Sequence, residues 1–317
     1  MKLVERSFRL SAPEGLGRKP RPELIGPVLS HLHDTLQDAV RMGFLHSSRA
    51  RGRISSALKA AADVRYLGHS ADGADATVLR FEVAPFGEAA AELFKQRLLW
   101  DDGPQPEQTA FELLSTSLAD IAAKRLESNR YDPGLLNRVR SYARIVNQGQ
   151  MQIGLPDSVV PNAGRIDAAS VTAAADLVAR TPESRRVRVT GRLDLMGASQ
   201  SVLKLELRPG VIVTALWEGS SPVNALHDYF DRDVVIEGAG IFRPSGALLR
   251  IDADAIAPAS AQDEFFRDAP SAVSITQDFA KQARLRPGEK SAYASILGVI
   301  PAEESDEEFA AAVAALS

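Results

Sequence analysis

The sequence predicts an α+β protein: a mostly helical N-terminal domain with a β-hairpin, then a small five-stranded β-barrel and an extended C-terminal tail. A length of 317 residues exceeds what one hydrophobic core usually supports, so more than one domain is expected. The spacing of apolar residues changes from about four in the first half to two after residue 185, which indicates helices followed by strands. After residue 257 large apolar residues become scarce, which is typical of a tail.

Residues 1–150 are predicted to form the N-terminal domain. The segment up to about residue 21 is rich in proline, glycine and basic residues, so an extended or irregular arm is expected. Apolar residues every four positions from Glu23 to Met42 predict the first long helix. An Asp-Gly pair between two strand-like runs predicts a hairpin. Helical spacing recurs in three further stretches: Glu88–Leu99, Glu107–Leu126 and Gly134–Val146.

Residues 151–184 are predicted to be a glycine- and proline-rich linker followed by a helix over Ala168–Arg180. In residues 185–257 apolar and polar residues alternate, so each strand has one buried and one solvated face. Five strands with a short helical segment between the third and the fourth favour an OB-like barrel, with an SH3-like barrel as the alternative. The strands are Val187–Leu195, Leu203–Leu207, Val211–Trp217, Val234–Phe242 and Leu248–Ile256.

The sequence lacks the phosphate-binding loop, the nucleophile elbow and the HExxH helix of common enzyme classes. Gly238-Ala239-Gly240 lies inside a strand and indicates a bulge or a bend of the barrel. Arg250, Asp252 and Asp254 are expected in one row on the solvated face of the last strand. Because cysteine is absent, thiolate metal sites and disulfides are excluded. We therefore expect a cytoplasmic protein with no catalytic residues, cofactor, metal site or membrane-spanning segment.

The densest basic cluster, Arg49, Arg51 and Arg53, lies in a loop between two predicted helices. Guanidinium groups are suited to paired hydrogen bonds with phosphate. Arg188 and Arg192 on the first barrel strand extend the basic set, which predicts a nucleic-acid-binding module as one possible function. Basic and acidic residues are equally numerous within the barrel, however, and no aromatic residue stands between the three loop arginines for base stacking.

The tail, residues 258–317, carries basic residues first and acidic residues last. Ser305 followed by Glu308 is a capping box, which predicts that a helix begins at Ser305. Phe309, Val313 and Leu316 would then lie on one face of that helix. An apolar stripe of this kind docks either on the body of its own chain or in a groove of a partner protein, and both alternatives stay open.

Two stretches of the barrel, Val187–Met196 and Phe242–Ala253, resemble a family of uncharacterised bacterial proteins. Ser48–Arg53 and Ala76–Glu82 have counterparts in the N-terminal halves of that family. The last segment, Ser305–Leu316, resembles the tail of antitoxin-type partners of PIN-domain ribonuclease toxins. In those tails a Trp-Pro-Gly-Asp stretch precedes the acidic helix. The corresponding Ile-Pro-Ala-Glu here keeps the proline and an acid but has neither the tryptophan nor the glycine.

This resemblance implies an antitoxin-like or defence-associated protein that binds and restrains a nuclease, in particular a PIN-domain nuclease, through its tail. Two arginines of the tail would then take the place of a metal ion among the acidic residues of the nuclease. The predicted partner-binding residues are Arg284, Arg286, Glu303, Asp306, Phe309, Val313 and Leu316. The nucleic-acid-binding alternative uses Arg49, Arg51, Arg53, Arg188 and Arg192.

Overall fold

The computed structural model describes residues 3–12, 21–49, 54–94, 103–149, 151–154, 164–197, 201–219 and 223–272. Seven α-helices lie within these residues: α1 Pro22–Leu45, α2 Ser56–Ala61, α3 Phe86–Ala89, α4 Ala110–Ala122, α5 Pro133–Arg140, α6 Ala143–Gly149 and α7 Ala168–Arg180. The first sheet contains β1 Val4–Ser11, β2 Val64–Ala71, β3 Ala76–Val83, β4 Gln152–Gly154 and β5 Arg165–Ile166. The second contains β6 Arg185–Gly197, β7 Val202–Arg208, β8 Val211–Trp217, β9 Asp233–Phe242 and β10 Leu248–Pro258.

The first sheet has the strand order β2-β3-β1-β4-β5, so the N-terminal strand is its centre. The prediction of an extended or irregular arm is therefore wrong for residues 4–11, because they form a strand that is paired on both sides. Residues 13–20 lie outside the described part. Phe8 and Leu10 are fully buried and Arg9 between them is exposed, which is the period-two pattern of a strand with one solvated face. The sequence did not reveal this strand because it is only eight residues long and is followed by a proline-rich stretch that dominates the composition of the segment.

Helices cover the buried face of this sheet, and aromatic rings join the two layers. Phe8 lies 5.5 Å from Phe81 of β3 and 5.0 Å from Phe111 of α4, measured between ring centroids. The expected helix over Gly134–Val146 is two helices, α5 and α6, because the helix is interrupted at residues 141–142. This break carries Tyr142 into the core, where its hydroxyl lies 2.9 Å from Thr35 of α1. Burial raises the pKa of Tyr142.

The other predicted N-terminal elements are matched in part. The hairpin of β2 and β3 forms as expected, and α1 and α4 lie within the predicted stretches or close to them. The expected helix over Glu88–Leu99 is reduced to α3 and a 3₁₀ turn at Ala91–Phe94, and residues 95–102 lie outside the described part. Residues 152–154 and 165–166 add strands to the N-terminal sheet, and α7 packs against α4 and α5. These parts of the predicted linker therefore belong to the N-terminal fold.

The second sheet is a closed barrel with the strand order β10-β8-β7-β6-β9, completed by pairing of β9 with β10. All neighbouring strands are antiparallel except β8 and β10, which run parallel. The segment between the third and fourth strands is a 3₁₀ helix at Val223–Tyr229. Inward-facing residues such as Val189, Leu205 and Ile236 are fully buried, as the alternation predicts.

Residues 259–272 lie along the outside of the barrel, although the tail is predicted to begin at residue 258. A 3₁₀ helix at Ala261–Phe266 packs against β6, and the chain then pairs with the loop between β9 and β10 through Ala247 and Ser271. The amide of Ala272 donates to the carbonyl of Gly246 at 2.8 Å. We call residues 259–272 the strap.

Candidate functional site

The structure describes only some of the residues predicted to bind a partner or nucleic acid. Arg284, Arg286, Glu303, Asp306, Phe309, Val313 and Leu316 lie outside the described residues, as do Arg51 and Arg53. Arg49 is exposed just beyond the end of α1. Arg188 and Arg192 are exposed on the outer face of β6. The described members of the predicted sites therefore lie just beyond α1 and on the outer surface of the barrel.

The arginines on the outer face of β6 are bound by carboxylates of the same barrel. Arg192 donates to Glu206 of β7 at 2.8 Å and to Asp231 at 3.3 Å. The hydrogen bond that Arg192 donates to Glu206, followed by the charges of Glu206 and Asp231, raises the pKa of Arg192. Arg186 makes hydrogen bonds to Asp254 at 2.9 and 3.0 Å. These guanidinium groups are charged, and their favoured partners are already in place.

Arg188 fastens the strap to the barrel. Its guanidinium donates to Asp263 of the strap at 2.6 Å and lies 5.0 Å from the ring centroid of Phe266. The Ser260 hydroxyl and amide, together with the charge of Arg188, lower the pKa of Asp263. Arg188 therefore holds a structural position that its sequence context does not reveal.

Further ion pairs continue along the strap. Arg267 bridges Asp233 at 2.8 Å and Glu264 at 2.7 Å, and the hydrogen bonds that it donates to these carboxylates raise its pKa. Arg208 at the end of β7 pairs with Asp268 at 2.8 Å. These pairs are partly exposed, so each one contributes little to stability, but together they fix the course of the strap.

Three large apolar side chains are exposed next to these ion pairs. Phe265 of the strap is 89% exposed, Ile212 of β8 is 56% exposed and Phe230 is 50% exposed. Ile212 is opposite Glu206 across the β7–β8 ladder, Phe230 precedes Asp231, and Phe265 follows Glu264. We call Ile212, Phe230 and Phe265 the barrel patch. Apolar side chains exposed beside charged residues are candidates for an interaction site.

A second cluster joins the barrel to the N-terminal fold and is buried. Arg250 of β10 is 5% exposed, which contradicts its expected position on a solvated face. Its guanidinium donates to Asp132 at 3.1 Å, to the His46 carbonyl at 2.9 Å and to Asp252 at 2.8 Å. Asp132 also accepts a hydrogen bond from the Ser48 hydroxyl at 2.5 Å. Because every polar group here has a partner in the fold, the cluster is a structural joint.

Apolar contacts complete this joint. Val202, Leu216 and Leu249 are buried on the outside of the barrel and belong to the same hydrophobic cluster as the core of the N-terminal fold. The barrel face near these three residues is therefore covered, whereas the face around Arg192 is exposed. A cavity of about 850 Å³ beside the joint is lined by α1, α4 and residues 103–108 and 125–130.

Comparisons with protein-family models, with curated proteins and with solved structures found no match. Within the described ranges no helix is long and apolar enough to cross a membrane. The same residues hold no group of three or more histidine, aspartate or glutamate side chains arranged to bind a metal ion.

The barrel patch was missed from the sequence, although one signal was present. Phe265 and Phe266 form a pair of aromatic residues in a segment that is otherwise polar. Phe266 lies against Arg188, and Phe265 is exposed.

Proposed function

We propose that the protein is non-catalytic and acts by binding a protein partner, which its C-terminal tail restrains in the manner of an antitoxin. The class of partner we propose is a nuclease, of the PIN-domain kind that the sequence resemblance of the tail implies. Anchoring of the strap is the observation that supports this function most directly. The strap ends at Ala272, which is hydrogen-bonded to Gly246 on the barrel, so the residues after it start from a fixed point.

A fixed starting point matters because a tethered binding segment acts at a high local concentration near its anchor. The cations of the tail, Arg284 and Arg286, follow the anchor closely in sequence, and the apolar stripe of Phe309, Val313 and Leu316 comes last. This order suits a partner with an acidic site near the barrel and an apolar groove further away.

Removal of the residues after Ala272 is expected to abolish both capture of the protein encoded by the neighbouring gene and inhibition of its nuclease activity. Co-expression followed by co-purification measures capture, and an RNA cleavage assay measures inhibition. The variant F309S/V313S/L316S is expected to weaken binding at least about tenfold, because each replacement removes an apolar contact. The matched control, A311S/A315S, adds serines on the other faces of the predicted helix and is expected to bind like the full chain. An unchanged complex with the truncated chain contradicts the proposal.

A second candidate function is binding of single-stranded nucleic acid. It is favoured by the barrel, because the strand order and the parallel pairing of β8 with β10 support an OB-like rather than an SH3-like barrel. Many OB-like barrels bind oligonucleotides on the face of their second and third strands. The ion pairs of Arg188 and Arg192 weigh against this function, since phosphate would have to displace carboxylates already bound.

Nucleic-acid binding predicts an affinity for single-stranded DNA or RNA that falls steeply as the salt concentration rises. In fluorescence anisotropy, R49A/R51A/R53A would then weaken binding and reduce the salt dependence, whereas the exposed control R65A on β2 would not. Binding that is absent at low salt, or that the triple substitution leaves unchanged, removes this candidate.

A further inference from the structure

We propose that the barrel patch is a second docking surface, separate from the tail, for a protein segment that presents an apolar anchor surrounded by basic residues. This inference does not depend on the function of the tail. It is carried by the exposure of Phe265, Ile212 and Phe230 and by the charges around them.

Arg192 is the centre of the surface and connects its parts. It binds Glu206, which is opposite Ile212, and Asp231, which follows Phe230. Asp233 is the register partner of Arg192 and also binds Arg267, which in turn holds Glu264 next to Phe265. The three apolar residues are therefore adjacent, in register or in sequence, to two sets of ion pairs that the pairing of Arg192 with Asp233 brings next to each other.

Phe265 has no stabilising role in the isolated fold that accounts for its position. With 89% of its surface exposed, it gains almost nothing from burial in this chain. Burial of a phenylalanine side chain against a partner strengthens binding by roughly ten- to hundredfold, so Phe265 is suited to be an anchor. The 3₁₀ helix that carries it is held to β6 by Arg188 and Asp263, so the side chain is presented from a fixed element.

The charges decide the chemistry of the partner. Arg192, Arg208 and Arg267 are each bound to at least one carboxylate of the barrel or the strap, so their charge is offset locally. The most exposed members of these pairs are acidic: the side chains of Asp231, Glu264 and Asp268 are 69%, 70% and 69% exposed. With the exposed Arg232 included, the carboxylates still outnumber the guanidinium groups by one: Glu206, Asp231, Asp233, Glu264 and Asp268 against Arg192, Arg208, Arg232 and Arg267. A partner with lysine or arginine around its apolar anchor matches this acidic excess better than nucleic acid does. A second copy of this chain would place the same acidic excess against itself.

The test measures binding of two amphipathic peptides to the full-length chain by fluorescence anisotropy. Both peptides have leucine at the same positions. The polar positions are lysine in the first peptide and glutamate in the second, and single-stranded oligo-dT is the third probe. We expect the lysine peptide to bind, and we expect the glutamate peptide and oligo-dT not to bind. The variant F265S is expected to weaken binding about ten- to hundredfold, and E264K about tenfold.

The control L67S removes an apolar side chain that is 44% exposed on β2, outside the barrel, and is expected to bind like the unmodified chain. Unchanged thermal unfolding of F265S verifies that the barrel is intact. The chain truncated after Ala272 is expected to keep peptide binding although it loses the tail, so the two proposals fail separately. Equal binding of both peptides, preference for oligo-dT, or full affinity in F265S overturns the proposal. A dimer that F265S converts to a monomer also overturns it, because the occupant is then a second copy.

Discussion

Replacement of Arg250 by methionine is expected to lower the free energy of unfolding by about 3–5 kcal/mol, because it leaves the charge of Asp132 buried without its cation. The side chains of Arg250 and Asp132 are only 6% and 3% exposed. Asp132 also accepts the amide of Leu135 at the start of α5 and the hydroxyl of Ser48, so the loss extends into the N-terminal fold. Few single substitutions destabilise a protein by this much.

Urea unfolding followed by fluorescence and circular dichroism measures this change. The matched control R186M removes an arginine of the same barrel whose side chain is 60% exposed and bound to Asp254, and it is expected to destabilise the chain far less than R250M does. A double-mutant cycle with D132N measures the coupling between Arg250 and Asp132: the Oδ1 atom of asparagine can still accept from the Ser48 hydroxyl and the Leu135 amide, whereas the Ser48 amide loses its acceptor in D132N. If R250M is no more destabilising than R186M, the joint does not hold the two folds together.

The substitution G238A is expected to destabilise the barrel by about 3 kcal/mol, because an added methyl group has no space. A Cβ atom at Gly238 would collide with the carbonyl oxygen of Asp252 on β10 and approach the Cα atom of Ala253 to 2.7 Å. Both are backbone atoms, so β9 and β10 would have to separate at a point where they are paired.

The control G26A adds the same methyl group on α1, where nothing lies within 4 Å of the new atom. Alanine is favoured over glycine inside a helix but disfavoured directly before a proline such as Pro27, so G26A is expected to change the free energy of unfolding by less than about 1 kcal/mol. Thermal unfolding should therefore shift strongly for G238A and little for G26A. If G238A unfolds at the temperature of the unmodified chain, the close approach of β9 and β10 is not present in solution.

Local signals predicted much of this fold. Asp132 before Pro133 marks the start of α5, and its side chain does accept the amide of Leu135. The alternation after residue 185 predicts five strands, which the structure confirms, and they close into a barrel. Both predictions depend on residues close together in sequence, where spacing and capping chemistry act directly.

Non-local contacts explain most of what the sequence did not reveal. Arg250 alternates with apolar neighbours like any residue on a solvated face, and it is buried only because the barrel packs against the loop after α1. Arg188 and Arg192 look available for phosphate, yet their carboxylate partners come from β7, the loop before β9 and the strap. The exposure of Phe265 likewise depends on how the strap is seated, which local spacing does not determine.

The central position of β1 has a consequence for synthesis on the ribosome. β1 precedes the other strands of this sheet in the chain, and it pairs on one side with β3 and on the other with β4, which begins at Gln152. One of its two hydrogen-bonding edges therefore stays unpaired until β4 has been translated, and until then Phe8 and Leu10 lack some of their final neighbours. Such a long delay between a strand and its partner favours transient capture by chaperones.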